Sequence, residues 1–514
     1  MVKVLSVDIG TTNVKAALFD ERGMILKERS IEIGTYSPKP GTSVQSLEEI
    51  YRAVVEVIKG SVKGFEDEVE AITLGSQMHG LGALSSEGNV LLPLITYLDT
   101  RAYKEAEELE LTWGEEIYSE TGCPPLFIYP LAKILWIKRN EPEILAKVKY
   151  FLLSAKDYVI YKLSGRLMID PSTASGSQLL NIKELKWSAK ALEIAGLEEE
   201  MLPEVVEGSE PVELLGSVKE ELGLKGGVKL IIGASDAAFH TLGVGAFSKG
   251  YLALNLGTSA ALRGVKDRPV MDLSGKRLFC YYLGYGKWMV GGAINNAGTT
   301  LKWLKDKILK AEKHIAGVLE GDVYEILCKE ASLSSPVPKG LIFLPFLTGE
   351  RFPIRDPYAN GVLFGLRVSV DRRDIVRSAL EGIAFTLRWI YEALKGVGVK
   401  PIEVRIGGGG ARSKLWREII ANVLNVRLSY TGYENATLLG GLIYALRALG
   451  YYEDLNKAIR DIVEGGLTEV TEPDEVLSKR YLKAFELFKR IYLALKDISK
   501  YHYSSIIAGG EDVR

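Results

Sequence analysis

Cysteine is scarce in this chain: Cys123, Cys280 and Cys328 are the only three in 514 residues. Being odd in number, far apart and without metal-type spacing, they exclude a disulfide framework and fit a reducing compartment, the cytoplasm. Long hydrophobic runs are also missing. No stretch approaches the ~20 apolar residues that cross a bilayer, and the 341–347 run is short and contains Pro345. Asp8 interrupts the first apolar stretch too early for a signal peptide. There is no basic surplus, since 64 Lys and Arg stand against 66 acids for a net charge of −2, which argues against a nucleic-acid partner. Glutamine occurs only at positions 45, 77 and 178; amides are thermolabile, so this points to a heat-adapted chain. What is present is globular in balance, with 47% apolar and 25% charged residues, too apolar for disorder.

The most informative feature is an internal echo. Leu5-Ser-Val-Asp-Ile-Gly-Thr-Thr12 returns as Leu252-Ala-Leu-Asn-Leu-Gly-Thr-Ser259, at a constant offset of 247 residues. Each copy runs from a short apolar strand through a Gly-Thr turn into a second apolar stretch, the pattern of a β-hairpin. Two such hairpins predict a duplicated architecture with domains 1–245 and 246–514. Between them strands and helices alternate. Helices are expected over 47–59, from 133, over 374–394, 413–424 and 474–496; strands over 71–74, 228–232, 340–344 and 404–406. Such alternation predicts an α/β protein with sheets covered on both faces. No low-complexity linker separates the halves, so a shared cleft is expected.

Several motifs carry chemistry. In Gly10-Thr11-Thr12 the glycine lets backbone amides approach an anion and the hydroxyls add donors, so the turn is either a plain hairpin or a phosphate cradle. Asp8 beside it could hold Mg²⁺ through water, and Lys15 could reach a phosphate as a point charge. Gly257-Thr258-Ser259 supplies a second clamp, which favours the phosphate reading. Four glycines, Gly407 to Gly410, join a strand to a helix beginning at Ser413, more than a tight turn needs. Asp236 follows the N-cap candidate Ser235, where the positive helix end would keep it ionised. It is either a general base or a simple complement to the dipole. In Gly75-Ser-Gln-Met-His-Gly80, Gln77 and His79 offer hydrogen bonds to a polyhydroxylated ligand, and Met78 can pack on carbon faces. Asp99 and Arg101 are either an ordinary surface pair or part of the same rim.

Together these features resemble the FGGY family of carbohydrate kinases along nearly the whole chain. The two hairpins match, as do Pro130-Leu-Ala-Lys133-Ile-Leu-Trp136-Ile-Lys-Arg-Asn140 and Gly361-Val-Leu-Phe-Gly365 with Asp374-Ile-Val-Arg-Ser378-Ala-Leu-Glu381. Ile128 stands where the family usually has an aromatic, Met or small residue. The resemblance implies a two-domain actin/hexokinase-like (ribonuclease H-like) fold with an interdomain cleft that closes on ATP and sugar. It implies Asp236 as catalytic base and Asp8, with Asp236, at a Mg²⁺ site. Nucleotide contacts are implied for Gly10, Thr11, Thr12, Asn13 and Lys15 on one side. On the other they are implied for Gly257, Thr258, Ser259, Gly298, Lys302, Gly408, Gly409 and Ser413, although related glycerol kinases tend to carry glutamine where Lys302 stands.

Sugar contacts are implied for Gln77, Met78, His79, Gly80, Arg101 and Asp236. Glycerol kinases carry an Arg-Glu pair where this chain has Met78-His79, whereas xylulose and gluconate kinases share Met-His there. The stretches 96–101, 278–281, 291–298 and 344–351 look more like gluconate kinase. Gluconate is the expected substrate, with xylulose as the alternative. Its carboxylate calls for a cation, for which Arg101 is the candidate. The expected partners are therefore a small sugar or sugar acid and a second copy of the chain as a homodimer, with no nucleic acid and no membrane.

Overall fold

The computed structural model describes residues 2–310, 322–433, 435–466 and 469–507. The chain forms two compact units, each discontinuous: 1–248 with 265–290 and 435–466, and 249–264 with 291–434 and 467–514. The division expected at 245/246 is drawn along the sequence, whereas in the fold two later segments pack with the first unit.

The first unit is built on a six-stranded sheet in the order Pro211–Glu213, Lys229–Ser235, Val69–Ser76, Lys3–Ile9, Asn13–Asp20, Ile25–Glu32. The three inner strands Lys229–Ser235, Val69–Ser76 and Lys3–Ile9 are parallel, and their register sets Ile9 beside Ser76 and Ser76 beside Ser235. All three therefore end at one level. Side chains alternate along a strand, so Leu5, Val7 and Ile9 enter the apolar core with the Leu47–Val62 helix while Ser6 and Asp8 point to the opposite face. The Leu47–Val62 helix starts at the Ser46 cap and carries acids in its first turn, as the helix dipole favours.

The opposite face is covered by the helices Asp236–Gly243 and Ala436–Ala448, which pack backbone against backbone. A Cβ added at Gly243 would lie 1.7 Å from the Ala436 carbonyl oxygen, and one at Gly440 the same distance from that of Phe239. A Cβ at Gly441 would lie 2.1 Å from Ser6 Oγ. The glycines let this helix pair lie flat on the sheet.

The second unit repeats the plan. Its strands run in the order Ala260–Lys266, Tyr251–Leu256, Glu403–Gly407, Arg427–Tyr430, Glu469–Thr471, with the middle three parallel. The register places Asn255 beside Gly407, as Asp8 lies beside Gly75 in the first unit. The Arg372–Gly396 helix packs on the Ile342–Pro345 strand and the Lys414–Leu424 helix, and Glu475–His502 packs across them through Phe385, Tyr481, Phe485 and Phe488. The strand expected from Gly340 begins at Ile342, because Pro338–Gly340 makes a 3₁₀ turn with Gly340 at φ +79°. Among the described residues no helix is long and apolar enough to cross a membrane.

Gly440→Ala is expected to force the two helices apart and destabilise the protein by about 1–3 kcal/mol or more, read as a lower Tm by calorimetry. Gly396→Ala is the control: a Cβ there meets nothing within 4 Å, so Tm should hold or rise slightly.

Candidate active site

Because the three parallel strands of the first unit end together, the residues just beyond them converge. Gln77 follows Val69–Ser76 and donates its backbone N–H to the Ile9 carbonyl at 2.9 Å. Asp236 follows Lys229–Ser235 and opens its helix, with Ser235 as the N-cap accepting from Ala238 N–H. This is the strand end and first turn expected from the sequence. Asp8 lies one residue short of the end of Lys3–Ile9, on the face of the Asp236 helix.

Asp8 and Asp236 are electrostatic neighbours. Burial first, then the Asp236 charge, raises the Asp8 carboxyl from its ordinary value to about 7, against the opposing pull of Lys15. Asp8 Oδ1 is buried and has no hydrogen-bond partner among the described residues. An orphaned oxygen of this kind is expensive to bury and suits a cation.

The hairpin turn beside it is closed by Gly10 N–H donating to the Asn13 carbonyl at 3.0 Å. Thr12 is exposed, and Asn13 is half-buried at the start of its strand. Thr11 donates its hydroxyl to Gln77 Oε1 at 2.9 Å, and Gln77 Nε2 donates to Gln45 Oε1 at 2.7 Å. Gln45 Nε2 in turn donates to the Thr11 carbonyl at 2.6 Å, closing a ring of three residues. Gln45 is absent from the residues that the sequence marked for the site. With only three glutamines in the chain, its rarity was the available signal. Lys15 Nζ donates to Asn435 Oδ1 at 3.1 Å.

Beyond Gln77, Met78 is buried and His79 takes a left-handed backbone, φ +69°. Its Nδ1 lies 2.7 Å from the Gly176 carbonyl oxygen, which can only accept, so Nδ1 carries a proton and donates it there. The ring meets Tyr129 edge-on at 5.2 Å and Tyr281 at 5.8 Å. A Cβ on Gly80 would lie 2.7 Å from Leu94 Cδ1, so that side chain would have to shift. Arg101 binds the buried Asp99 carboxylate through Nε and Nη2, at 3.0 and 2.9 Å, with its guanidinium 4.5 Å from the Trp136 ring centre. The pair expected from the sequence is present, and Asp99 also accepts from Ser43 N–H at 2.8 Å.

Behind Asp236 lies an ion pair that the sequence did not announce. Lys156 and Asp170 are fully buried 2.5 Å apart, and Lys156 also donates to the Ala234 carbonyl at 3.0 Å. The Ser172 and Ser235 hydroxyls pair at 2.9 Å. The strand end that presents Asp236 is thus tied down two residues before it. Nothing in the spacing of Lys156 and Asp170 marked this.

In the second unit the Gly257–Ser259 turn is closed by Gly257 N–H on the Ser259 carbonyl at 2.9 Å, and Thr258 is exposed. Gly298 N–H donates to the Gly257 carbonyl at 3.0 Å and Thr299 N–H to that of Thr258 at 3.0 Å, so the Gly298–Trp303 helix begins on this turn, with Lys302 exposed. Gly408, at φ +92°, leaves no room for a Cβ beside Asn255 Oδ1 and the Leu256 carbonyl. Gly409 is exposed, and a Cβ there meets nothing within 4 Å. Ser413 caps the Lys414–Leu424 helix through Trp416 N–H. The structure thus brings Gly257, Thr258 and Gly298 together, and seats Gly408 beside the strand that leads into Gly257.

Two family models match. The FGGY family of carbohydrate kinases, N-terminal domain, covers residues 3–243, and its C-terminal domain covers 252–449. The chain is 34% identical over 492 residues to a gluconokinase of Bacillus subtilis, covering 94% of each chain. It is 26% identical to a xylulose kinase of Staphylococcus xylosus, covering 96% of this chain and all of that one. The crystal structure of a gluconate kinase from Lactobacillus acidophilus superposes with a TM-score of 0.89 at 29% identity, covering 96% of this chain and 98% of that one.

Asp236→Asn removes the charge next to Asp8. The Asp8 carboxyl should then titrate below about 7, yet still above an ordinary carboxylate because burial is the larger cause. Carboxyl ¹³C NMR across a pH series measures the shift.

Proposed function

Since the chain belongs to the FGGY family of carbohydrate kinases, we propose that it transfers the γ-phosphoryl group of ATP to the terminal hydroxyl of gluconate. It is an ATP-dependent sugar kinase with the two-domain fold of that family. The observation that carries the mechanistic reading is the Asp8–Asp236 pair at the carboxyl edge of the first sheet. Gluconate is favoured by the similarity to gluconokinase along almost the full length. Xylulose is the alternative, from the weaker similarity to xylulose kinase.

In this reading Asp236 accepts the proton of the attacking hydroxyl. Its place in the first turn of a helix, on a strand end anchored by Lys156, Asp170 and Ser172, holds it still for that task. Gln77, Met78, His79 and Gly80 form the sugar wall, with His79 Nε2 accepting from a hydroxyl. Arg101 presents its remaining Nη1 edge to the substrate carboxylate, since Nε and Nη2 are engaged by Asp99.

The residues fit Mg²⁺. Asp8 Oδ1 lacks a partner, and both groups are oxygen donors of the kind a hard cation takes. Among the described residues no cluster of three or more His, Cys, Asp or Glu could form a complete cage. That suits an ion which keeps waters and phosphate oxygens in its shell. When bound by Asp8, with Asp236 nearby, Mg²⁺ supplies positive charge toward the phosphoryl oxygens.

In the first unit the residues proposed for nucleotide contact are Gly10, Thr11, Thr12, Asn13 and Lys15. In the second unit, taken by itself, they are Gly257, Thr258, Ser259, Gly298, Lys302, Gly408, Gly409 and Ser413. The three free cysteines suit work in the reducing cytoplasm.

The test is an ATP-coupled assay of the purified enzyme over gluconate, xylulose, ribulose and glycerol. Gluconate should show the highest kcat/KM, and Arg101→Gln should weaken gluconate more than neutral sugars. A preference for xylulose would reassign the substrate. In the same assay Asp236→Asn should bind both substrates yet lose ~10²–10⁴-fold in kcat; near-normal turnover would remove it from the base role. Gly409→Ala, which meets no protein atom within 4 Å, should fold normally and raise the KM for ATP while leaving that for sugar unchanged.

A further inference from the structure

Lys133 lies in the first turn of the Pro130–Asn140 helix and is only 2% exposed. Its ammonium donates to three backbone carbonyls: His79 at 2.5 Å, Thr96 at 2.8 Å and Ile95 at 3.2 Å. Three donors meet three acceptors, so the group is saturated. Burying a cation is costly, and an apolar side chain of similar length would fill the space at a smaller desolvation cost. What the cation adds is geometry. The carbonyl it binds most closely belongs to His79, whose left-handed backbone is uncommon for a residue with a side chain.

The same short segment grips His79 a second time. Tyr129, immediately before the helix, meets the imidazole edge-on, and the Gly176 carbonyl fixes the Nδ1 proton. The backbone of His79 is thus tied by Lys133 and its ring by Tyr129 and Gly176. Together they fix where Nε2 points.

We propose that Lys133 is the positioning residue of the sugar site: by clamping the His79 carbonyl to those of Ile95 and Thr96, it aims His79 Nε2 at a substrate hydroxyl. This rests on the reading of His79 as a sugar ligand. Burial lowers the Lys133 ammonium to about 7, opposed by Asp99 and reinforced by Arg101. The titratable and charged groups facing it are Asp99 and Arg101 on the loop after Ile95, and His79, with Tyr129 and Tyr281 around the His79 ring. Above that pH a neutral amine brings two N–H donors to three carbonyls, and one of them is released.

The experiment uses the full chain, with Lys133→Met and Lys133→Arg, and two readouts. The first is KM for the best sugar, KM for ATP, and kcat. The second is the ¹⁵N NMR signal pattern of the His79 imidazole, which requires no sugar. Lys133→Met should raise the sugar KM roughly 10- to 100-fold, as misplacement of a substrate-aligning group does, with ATP KM within about twofold. It should also mix the His79 tautomers. In the wild type the sugar KM should rise as pH passes upward through about 7. Lys133→Arg, charged throughout, should lose that limb, while any limb that belongs to His79 stays.

An unmoved His79 signal in Lys133→Met overturns the proposal. So does an equal rise of both KM values with a fall in Tm, the mark of a purely structural role. A moved His79 signal with unchanged sugar KM overturns it too, and places the failure in the assignment of His79 to the sugar. If Lys133→Met does not fold, the wild-type and Lys133→Arg pH series decide, and a flat wild-type sugar KM between about pH 6 and pH 9 overturns the proposal.

Discussion

Parallel pairing of three strands, in a register that ends them level, is the constraint on which the first unit's site depends. Ile9, Ser76 and Ser235 stand side by side. The chain must leave the sheet at each of them, so the next residues along it, Gly10, Gln77 and Asp236, gather along one edge. Open α/β sheets collect ligands at this carboxyl edge for that reason. In the second unit the parallel strands ending at Leu256 and Gly407, with Asn255 beside Gly407, are followed by glycines and hydroxyls rather than acids.

Holding acids at that edge requires a rigid support, and the support is made from close packing and buried charge. Gly243 and Gly440 bring two helix backbones into contact, and one of these helices begins with Asp236. Lys156 and Asp170 anchor the strand that leads into it. A buried ion pair is a poor source of net stability, since desolvation offsets its attraction. Here its use is directional: Lys156 aims a second hydrogen bond at the Ala234 carbonyl. Lys133 solves a similar problem with carbonyls alone.

The scarcity of glutamine takes on a structural meaning. Gln45, Gln77 and Gln178 are all buried: the first two complete the ring with Thr11, and Gln178 donates to the Cys123 carbonyl at 2.8 Å. The three glutamines thus lie inside the fold, and each makes specific hydrogen bonds there. Cys123 and Cys280, 157 positions apart in the sequence, also turn out to be neighbours, since Cys280 N–H donates to the Gly122 carbonyl.

The sequence by itself determined the local elements and the two hairpins, because strand alternation, glycine turns and the Ser235 cap are short-range signals. It also placed Asp8, Asp236 and Gly408 at element ends, which periodicity can locate, while the roles proposed for them rest on the family resemblance. Only the tertiary structure decided how they are supported. That Lys133 reaches His79, that Lys156 meets Asp170 behind Asp236, and that 435–466 folds back onto the first unit are contacts between segments whose spacing carries no periodic trace. Their partners are largely backbone carbonyls and glycine surfaces. A carbonyl is present in every residue, so no residue type announces that it will be the one chosen.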